Sequence, residues 1–367
     1  MLGRFLLYIW LAIIYSDNSL VYALQCKGQN NEDLDWYVIY KLPKQTSKSN
    51  AHIKEGLGYV YMTSKNYTEW TWSEVSINDS NSMVGHSLKG LFEKKNEKAY
   101  ILYNDEAPNG KTSGSKGHTK GVVLADSISG LWLIHSVPHF PYSSDHYEYP
   151  TTGQHYGQSF LCISLNLKQI NNVGKQLQYN EPFIFSEYVP TSLSDTLPDI
   201  VRAANNETIN ASPYYNIETI ISLAGIKITS FAKSAKFGKD LYSNLVNSEL
   251  TSNLYVETWP NEANRLPSDC TNKYQVDNIK IIQMSNPSVS FKATVDHSKW
   301  AVSTPSDLNQ WVCIGDINRA QKQTERGGGT TCLNNEKLSG VYQKIISSVE
   351  PCSNKYYYDI NDIYNFL

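Results

Sequence analysis

Six cysteines set the first constraint on this 367-residue chain, because all of them lie beyond an apolar leader. The leader reads Met1-Leu2-Gly3-Arg4, then FLLYIWLAIIY, then polar residues to Val21-Tyr22-Ala23. One basic residue, an apolar run and a small residue at its end describe a secretory signal peptide over residues 1–23. The run is too short to span about 30 Å of hydrocarbon, and no later segment is long and apolar enough to do so. The expectation is therefore an exported chain without a membrane span. Cys26, Cys162, Cys270, Cys313, Cys332 and Cys352 meet an oxidising compartment, where an even number implies disulfides whose pairing stays open. No Cys-x-x-Cys spacing points to zinc. Sequons at Asn66, Asn78, Asn206 and Asn210 are compatible with glycosylation on the same route.

Charged residues are 18% and aromatic residues 12% of the chain, which marks it as globular rather than disordered. A formal charge of −3 excludes a general polyanion-binding surface, so any such site must be a local basic cleft. Protonating all 8 histidines would take −3 to +5, so acid pH changes the picture.

Strand patterns dominate. DWYVIYKLP (35–43), GLGYVYMT (56–63) and AYILYND (99–105) alternate and are rich in aromatic and β-branched residues. GVVLAD and LWLIHSV read as two strands joined by a turn around Ser127 to Gly130, and SFLCISL, IKIIQM, WAVS and WVCIGDI as further strands. Helical spacing predicts helices over 197–204, 236–250 and 336–349. This is an α/β, mixed α+β, architecture. No Pro/Gly/Ser linker divides it, so one compact unit is expected.

Two short motifs carry candidate chemistry. GHTKGVVL places His118 and Lys120 at i, i+2 ahead of an apolar run, and DHSKWAVS repeats the spacing at His297 and Lys299. On extended backbone both side chains of a pair project from one face. With 8 His and 32 Lys+Arg, about one such pair is expected by chance, and His52-Ile-Lys54, in a polar stretch without a preceding glycine, reads as that one. Two imidazoles and two ammoniums suit a phosphodiester, which needs a nucleophile, an acid for the leaving alkoxide, and positive charge on the equatorial oxygens.

The stretches DWYVIYKLP, LYND, GHTKGVVL, LWLIHSVPHFP, YGQSFLCISL, FAKSAKFGKDLYS, DHSKWAVS and WVCIGDINR with its trailing RGGGTTC resemble the deoxyribonuclease II family of acid endonucleases. They occur in family order and cover nearly all of the chain from Cys26 to Cys352. The resemblance implies a catalytic domain over 24–367, built as two pseudo-repeated halves (24–190 and 191–352) like the phospholipase D superfamily. The active-site cleft would lie between the halves, with a tail at 353–367. It also implies the pairs Cys26–Cys162, Cys270–Cys352 and Cys313–Cys332. His118 and His297 would be the nucleophile and the acid/base, and Lys120 and Lys299 the oxyanion clamp, cutting DNA without metal or cofactor to 3′-phosphate and 5′-hydroxyl ends. The substrate expected is DNA, double-stranded, in the lysosome or outside the cell.

Asn318, Arg319 and Arg326 fall where substrate phosphates can be contacted, and His135 and His139, flanking Pro138, where they can line the cleft; a solvated loop and satisfied structural histidines are the competing readings. The sequence departs from the superfamily pattern at Ala125, where an aspartate is wanted and the nearest carboxylate is Asp126, and no carboxylate follows Lys299 closely. Ala320 stands where vertebrate members have Asn. Gly327 to Gly329 are followed by no Lys-Ser/Thr, which rules out a nucleotide-binding loop. The alternative function is a catalytically silent secreted relative that binds DNA or a host protein. Oligomeric state is left open.

Overall fold

The structure is a computed structural model describing residues 23–352, except 94, 109 and 143–145. The signal peptide and the tail expected at 353–367 lie outside the described residues, apart from Ala23. A ribbon of β1 (Cys26–Lys27) and β2 (Asp33–Leu34) opens the fold. The first large sheet takes β3 (Trp36–Lys41), β4 (Tyr59–Thr63), β5 (Asn66–Trp72), β6 (Ala99–Asn104), β7 (Lys120–Ala125), β8 (Ser129–His135), β9 (Gln158–Asn166) and β10 (Ile184–Tyr188). Its order is β10-β6-β7-β8-β9-β3-β4-β5.

The second sheet takes β11 (Tyr215–Ile221), β12 (Lys227–Lys233), β13 (Leu254–Glu257), β14 (Val276–Ser285), β15 (Ser288–Lys292), β16 (Trp300–Ser303), β17 (Trp311–Gly315), β18 (Gly328–Asn334) and β19 (Ile346–Val349). Its order is β11-β12-β18-β17-β16-β13-β14-β15, with β19 against β14. Every named pairing is antiparallel except β13 with β14. The path β3-β9-β8-β7-β6 in one sheet thus repeats as β12-β18-β17-β16-β13 in the other. A helix follows the last of the five strands in chain order each time, 167–180 after β9 and 336–344 after β18.

All six residues of β3 and all seven of β8 are buried, because both faces of the sheet are covered. Side chains alternate. Trp36, Val38 and Tyr40 join Trp132, Ile134, Val302, Val312 and Ile314 in one core shared by the two sheets. Tyr37 and Ile39 face the other way, under Met83, Val84, Leu88 and Leu91 of helix 83–92. The outer face of the second sheet is covered by Leu241, Tyr242, Leu245, Val246 and Leu250. The disulfides are Cys26–Cys162, Cys270–Cys352 and Cys313–Cys332, the last across directly opposed positions of β17 and β18. Among the described residues no helix is long and apolar enough to cross a membrane.

Two helix expectations are corrected. The pattern over 336–349 splits into a helix ending at Lys344 and the strand β19, which gives the backbone of β14 a partner. The pattern over 236–250 breaks at Gly238, whose φ of +67° is left-handed, and resumes as a π-turn over 242–246 and a short α-helix over 247–250.

Candidate active site

The two His-x-Lys pairs enter the sheets alike, as the residues leading into β7 and β16. What orients them comes each time from the opposite half. The backbone N–H of His118 donates to Gly327 O at 2.9 Å, and that of His297 to Gly157 O at 2.9 Å. Gly327 and Gly157 are the residues just before β18 and β9. The His118 ring places Nδ1 2.7 Å from Asp316 O, and the His297 ring places Nδ1 3.0 Å from Ser136 O. Asp316 and Ser136 are the residues just after β17 and β8. A carbonyl only accepts, so the His118 Nδ1 carries the proton and its Nε2 keeps the lone pair, and the Ser136 carbonyl favours the same tautomer of His297. The exchange is reciprocal, as a pseudo-two-fold axis requires.

The anchors beneath this exchange are also paired. Lys41, the last residue of β3, is fully buried and its ammonium donates to Gln154 O (2.9 Å) and Tyr156 O. Lys233, the last residue of β12, is fully buried and donates to Gln323 O (3.0 Å), Thr324 O (3.1 Å) and Arg326 O. Each holds the loop that delivers the glycine carbonyl to the opposite histidine. Glycine is needed there: a Cβ at Gly157 would lie 2.3 Å from Asp296 Oδ1, and one at Gly327 2.1 Å from Asn180 O. Gly327 to Gly329 thus serve close backbone approach and the start of β18, not a nucleotide phosphate.

Charge concentrates here. Lys120, fully buried, is ion-paired to Asp105 Oδ1, with Glu106 Oε1 at 3.7 Å. Asp105 Oδ2 also takes Arg326 Nη2 at 2.9 Å and stands 3.9 Å from His118 Nε2. Burial pushes the Asp105 carboxyl up, but His118, Lys120 and Arg326 outweigh it and hold it well below the usual carboxylate range. Lys299 places Nζ 2.7 Å from His297 O and 3.0 Å from His297 Nδ1. In the tautomer whose Nδ1–H donates to Ser136 O, that second approach sets the Lys299 nitrogen against the ring without a hydrogen bond to it. Burial first, then Lys299, Lys120 and His118, hold His297 well below 6.5. Burial, only partly offset by Asp105, does the same to His118, which also feels Lys299. Burial and then Lys120 push Lys299 down to about 7. The four side chains thus lie near enough to feel one another's charge across the halves.

The other expected residues are placed differently. Arg326 belongs to the site through Asp105 and also donates to Ser113 O and Lys116 O, at 2.9 Å each. His135 is fully buried between Phe140 and Phe160, with Nδ1 accepting from Val137 N, so it lies behind the cleft rather than in it. His139 has a φ of +61° and its Nδ1 lies 2.9 Å from Ala107 O. Asn318 is buried; its Oδ1 accepts from Trp259 N and its Nδ2 donates to Glu262. Arg319, 2% exposed, is tied through Nε to Asp240 and through Nη1 to Asn278, so two of its three guanidinium nitrogens serve the fold. Ala320 is buried with extended backbone. His52 sits on the short helix 51–55, its Nε2 3.3 Å from Glu74 O, in contact with neither pair. The four sequons are exposed.

Sequence reasoning missed Asp105, Asp316, Lys41 and Lys233. Strand ends supply carboxylates to the first pair instead: Asp105, after β6, faces Lys120 and His118, and Asp316, after β17, accepts from the Lys120 backbone N–H. The lysine closing WYVIYK and the one closing KITSFAK were the signal for the anchors. Among the described residues, the three-ligand cluster Cys270, Asp277 and Cys352 spends both cysteines in a disulfide, so it does not fit a metal.

Known proteins resemble this chain in sequence over almost its whole length. The family model described as Deoxyribonuclease II matches residues 25–352. Deoxyribonuclease-2-alpha of Mus musculus is 38% identical over 337 residues, covering 90% of this chain and 94% of its own. Plancitoxin-1 of Acanthaster planci is 37% identical over 336 residues, covering 90% and 93%. Deoxyribonuclease-2 of Caenorhabditis elegans is 34% identical over 360 residues, covering 90% and 94%.

Proposed function

The chain belongs to the deoxyribonuclease II family of hydrolases, and from that premise we propose that it is an acid endonuclease cutting DNA through the two His-x-Lys pairs. The observation that carries the reading is the reciprocal clasp, in which each half fixes the other half's imidazole by a carbonyl at Nδ1. Both Nε2 atoms are thereby left for chemistry. One attacks phosphorus and forms a phosphohistidine, while the other, protonated, gives its proton to the departing 5′-oxygen. Water then attacks the phosphohistidine, the second imidazole taking its proton, and leaves a 3′-phosphate and a 5′-hydroxyl. Lys120 and Lys299 stabilise the charge on the equatorial oxygens, which removes the need for a metal.

Acid dependence follows from the same environment. Burial holds both imidazoles below 6.5, so the acid partner fills only as pH falls, and Lys299, near 7, is fully charged only at acid pH. The three disulfides fit a protein of the secretory pathway, lysosomal or secreted. The test is supercoiled plasmid at pH 5 in EDTA. Nicking that survives the chelator supports the reading. Activity that needs Mg²⁺ contradicts the mechanism, and a protein that binds DNA but cuts at no pH is the silent relative.

A further inference from the structure

A two-fold site has a difficulty with its substrate: a phosphodiester has distinct 3′ and 5′ sides, and a symmetric cleft would accept it in either direction. The structure breaks the symmetry at two equivalent pairs of positions. In the first half Asn104 lies opposite Lys120, so Asp105 is the next residue out. In the second half Glu257 lies opposite Trp300, which puts Thr258 beside Lys299 and makes Trp259 the next residue out. Trp259 therefore occupies the place of Asp105. Likewise Tyr156, before Gly157, occupies the place of Arg326, before Gly327. Where one side of the cleft has the ion pair Arg326–Asp105, the other has the aromatic pair Tyr156–Trp259.

This aromatic pair runs from solvent to the reacting group. Exposed His155 stands edge-on to Tyr156 at 4.5 Å between ring centres, Tyr156 to Trp259 at 4.6 Å, and Trp259 to His297 at 5.3 Å. Tyr156 and Trp259 are only half-buried. Both are fixed at the backbone: Lys41 donates to the Tyr156 carbonyl, Asn318 accepts from the Trp259 backbone N–H, and Asn318 itself donates to Glu262. A pre-ordered, half-exposed aromatic surface beside a phosphate site is what an unstacked nucleobase binds, since every base offers a π-face.

We infer that Tyr156 and Trp259 form a stacking platform for the nucleobase on one side of the scissile phosphate, which gives the pseudo-symmetric cleft its strand polarity. This rests on the nuclease reading. The charged side, already neutralised within itself by Asp105, takes the backbone on the other side of the cut.

The test uses end-labelled DNA oligonucleotides with one tetrahydrofuran abasic nucleotide, cut at pH 5 and mapped to single-nucleotide resolution. Wild type should cut roughly 10-fold more slowly at the phosphate on one side of the abasic position and at the ordinary rate on the other. Trp259→Ala and, separately, Tyr156→Ala should lose that asymmetry while cutting intact sites roughly 10-fold more slowly. Thermal melts and circular dichroism confirm that each variant is folded; if Trp259→Ala is not, Tyr156→Ala carries the comparison. Wild-type cutting that is indifferent to the abasic nucleotide on both sides overturns the inference. So do folded variants that keep the full asymmetry, since the base is then read elsewhere. A wild type that cuts no intact oligonucleotide sinks the nuclease reading itself, which the plasmid assay registers independently.

Discussion

Replacing Asp105 by asparagine keeps the shape of the side chain and removes the one charge that His118, Lys120 and Arg326 share. At 3.9 Å from His118 Nε2, a full charge at an effective dielectric near 20 is worth about 4 kcal/mol to the imidazolium. That is an upper bound, because Lys120 and Arg326 already neutralise much of the carboxylate. A loss of ~1–2 pH units in the affinity of His118 for its proton is the expected scale. Removing an anion disfavours the cation, so the acid limb that belongs to His118 moves to lower pH. Lys120 also loses its buried counterion, with Glu106 at 3.7 Å as the remaining ion pair, which costs about 3–5 kcal/mol of stability. The Asp105 carboxyl is depressed in the folded protein, so this stability is present above about pH 4 and is lost as pH falls through the folded value. The loss in the variant is therefore in full force at pH 5. The assay is plasmid nicking from pH 4 to 7 with a thermal melt at each pH. An Asp105→Asn protein whose pH–rate profile and melting points superimpose on wild type refutes the electrostatic argument.

Asp316 gives a test of opposite sign. Burial pushes its carboxyl up to about 7, so its stabilising contribution is complete below about pH 4 and is lost as pH rises through about 7. Asp316→Asn should thus be more stable relative to wild type at pH 8 than at pH 4.5; a pH-independent difference would contradict the assignment. Arg319→Met removes one member of a buried ion pair with Asp240 and should cost about 3–5 kcal/mol in denaturant titrations, leaving the salt dependence of DNA binding unchanged. An unchanged stability with a salt slope lowered by about 1 would make Arg319 a phosphate contact instead.

The strands were legible because burial on both faces leaves continuous apolar and aromatic runs, as in WYVIYK and LWLIH. Helix 167–180 was not, because LKQINNVGKQLQYN is polar overall and packs through Ile170, Val173 and Leu177. The His-x-Lys pairs were visible because both members of each are local. Their partners were not: Asp316 lies 198 residues from His118, and Ser136 lies 161 from His297. Arg319 reads as a loop cation until Asp240 arrives from 79 residues away. The repeat itself hides in sequence because its equivalent positions carry unlike residues, Tyr156 for Arg326 and Trp259 for Asp105.

The central claim is that His118 and His297 serve one phosphate from opposite halves. The direct measurement is plasmid turnover at pH 5 in EDTA by His118→Ala, His297→Ala, the double variant and His52→Ala. Each single variant should lose nearly all turnover and the double variant little more, because nucleophile and acid act as a unit. His52→Ala, which lies in contact with neither pair, should match wild type. A folded His297→Ala protein that nicks plasmid at close to the wild-type rate would place the active site elsewhere.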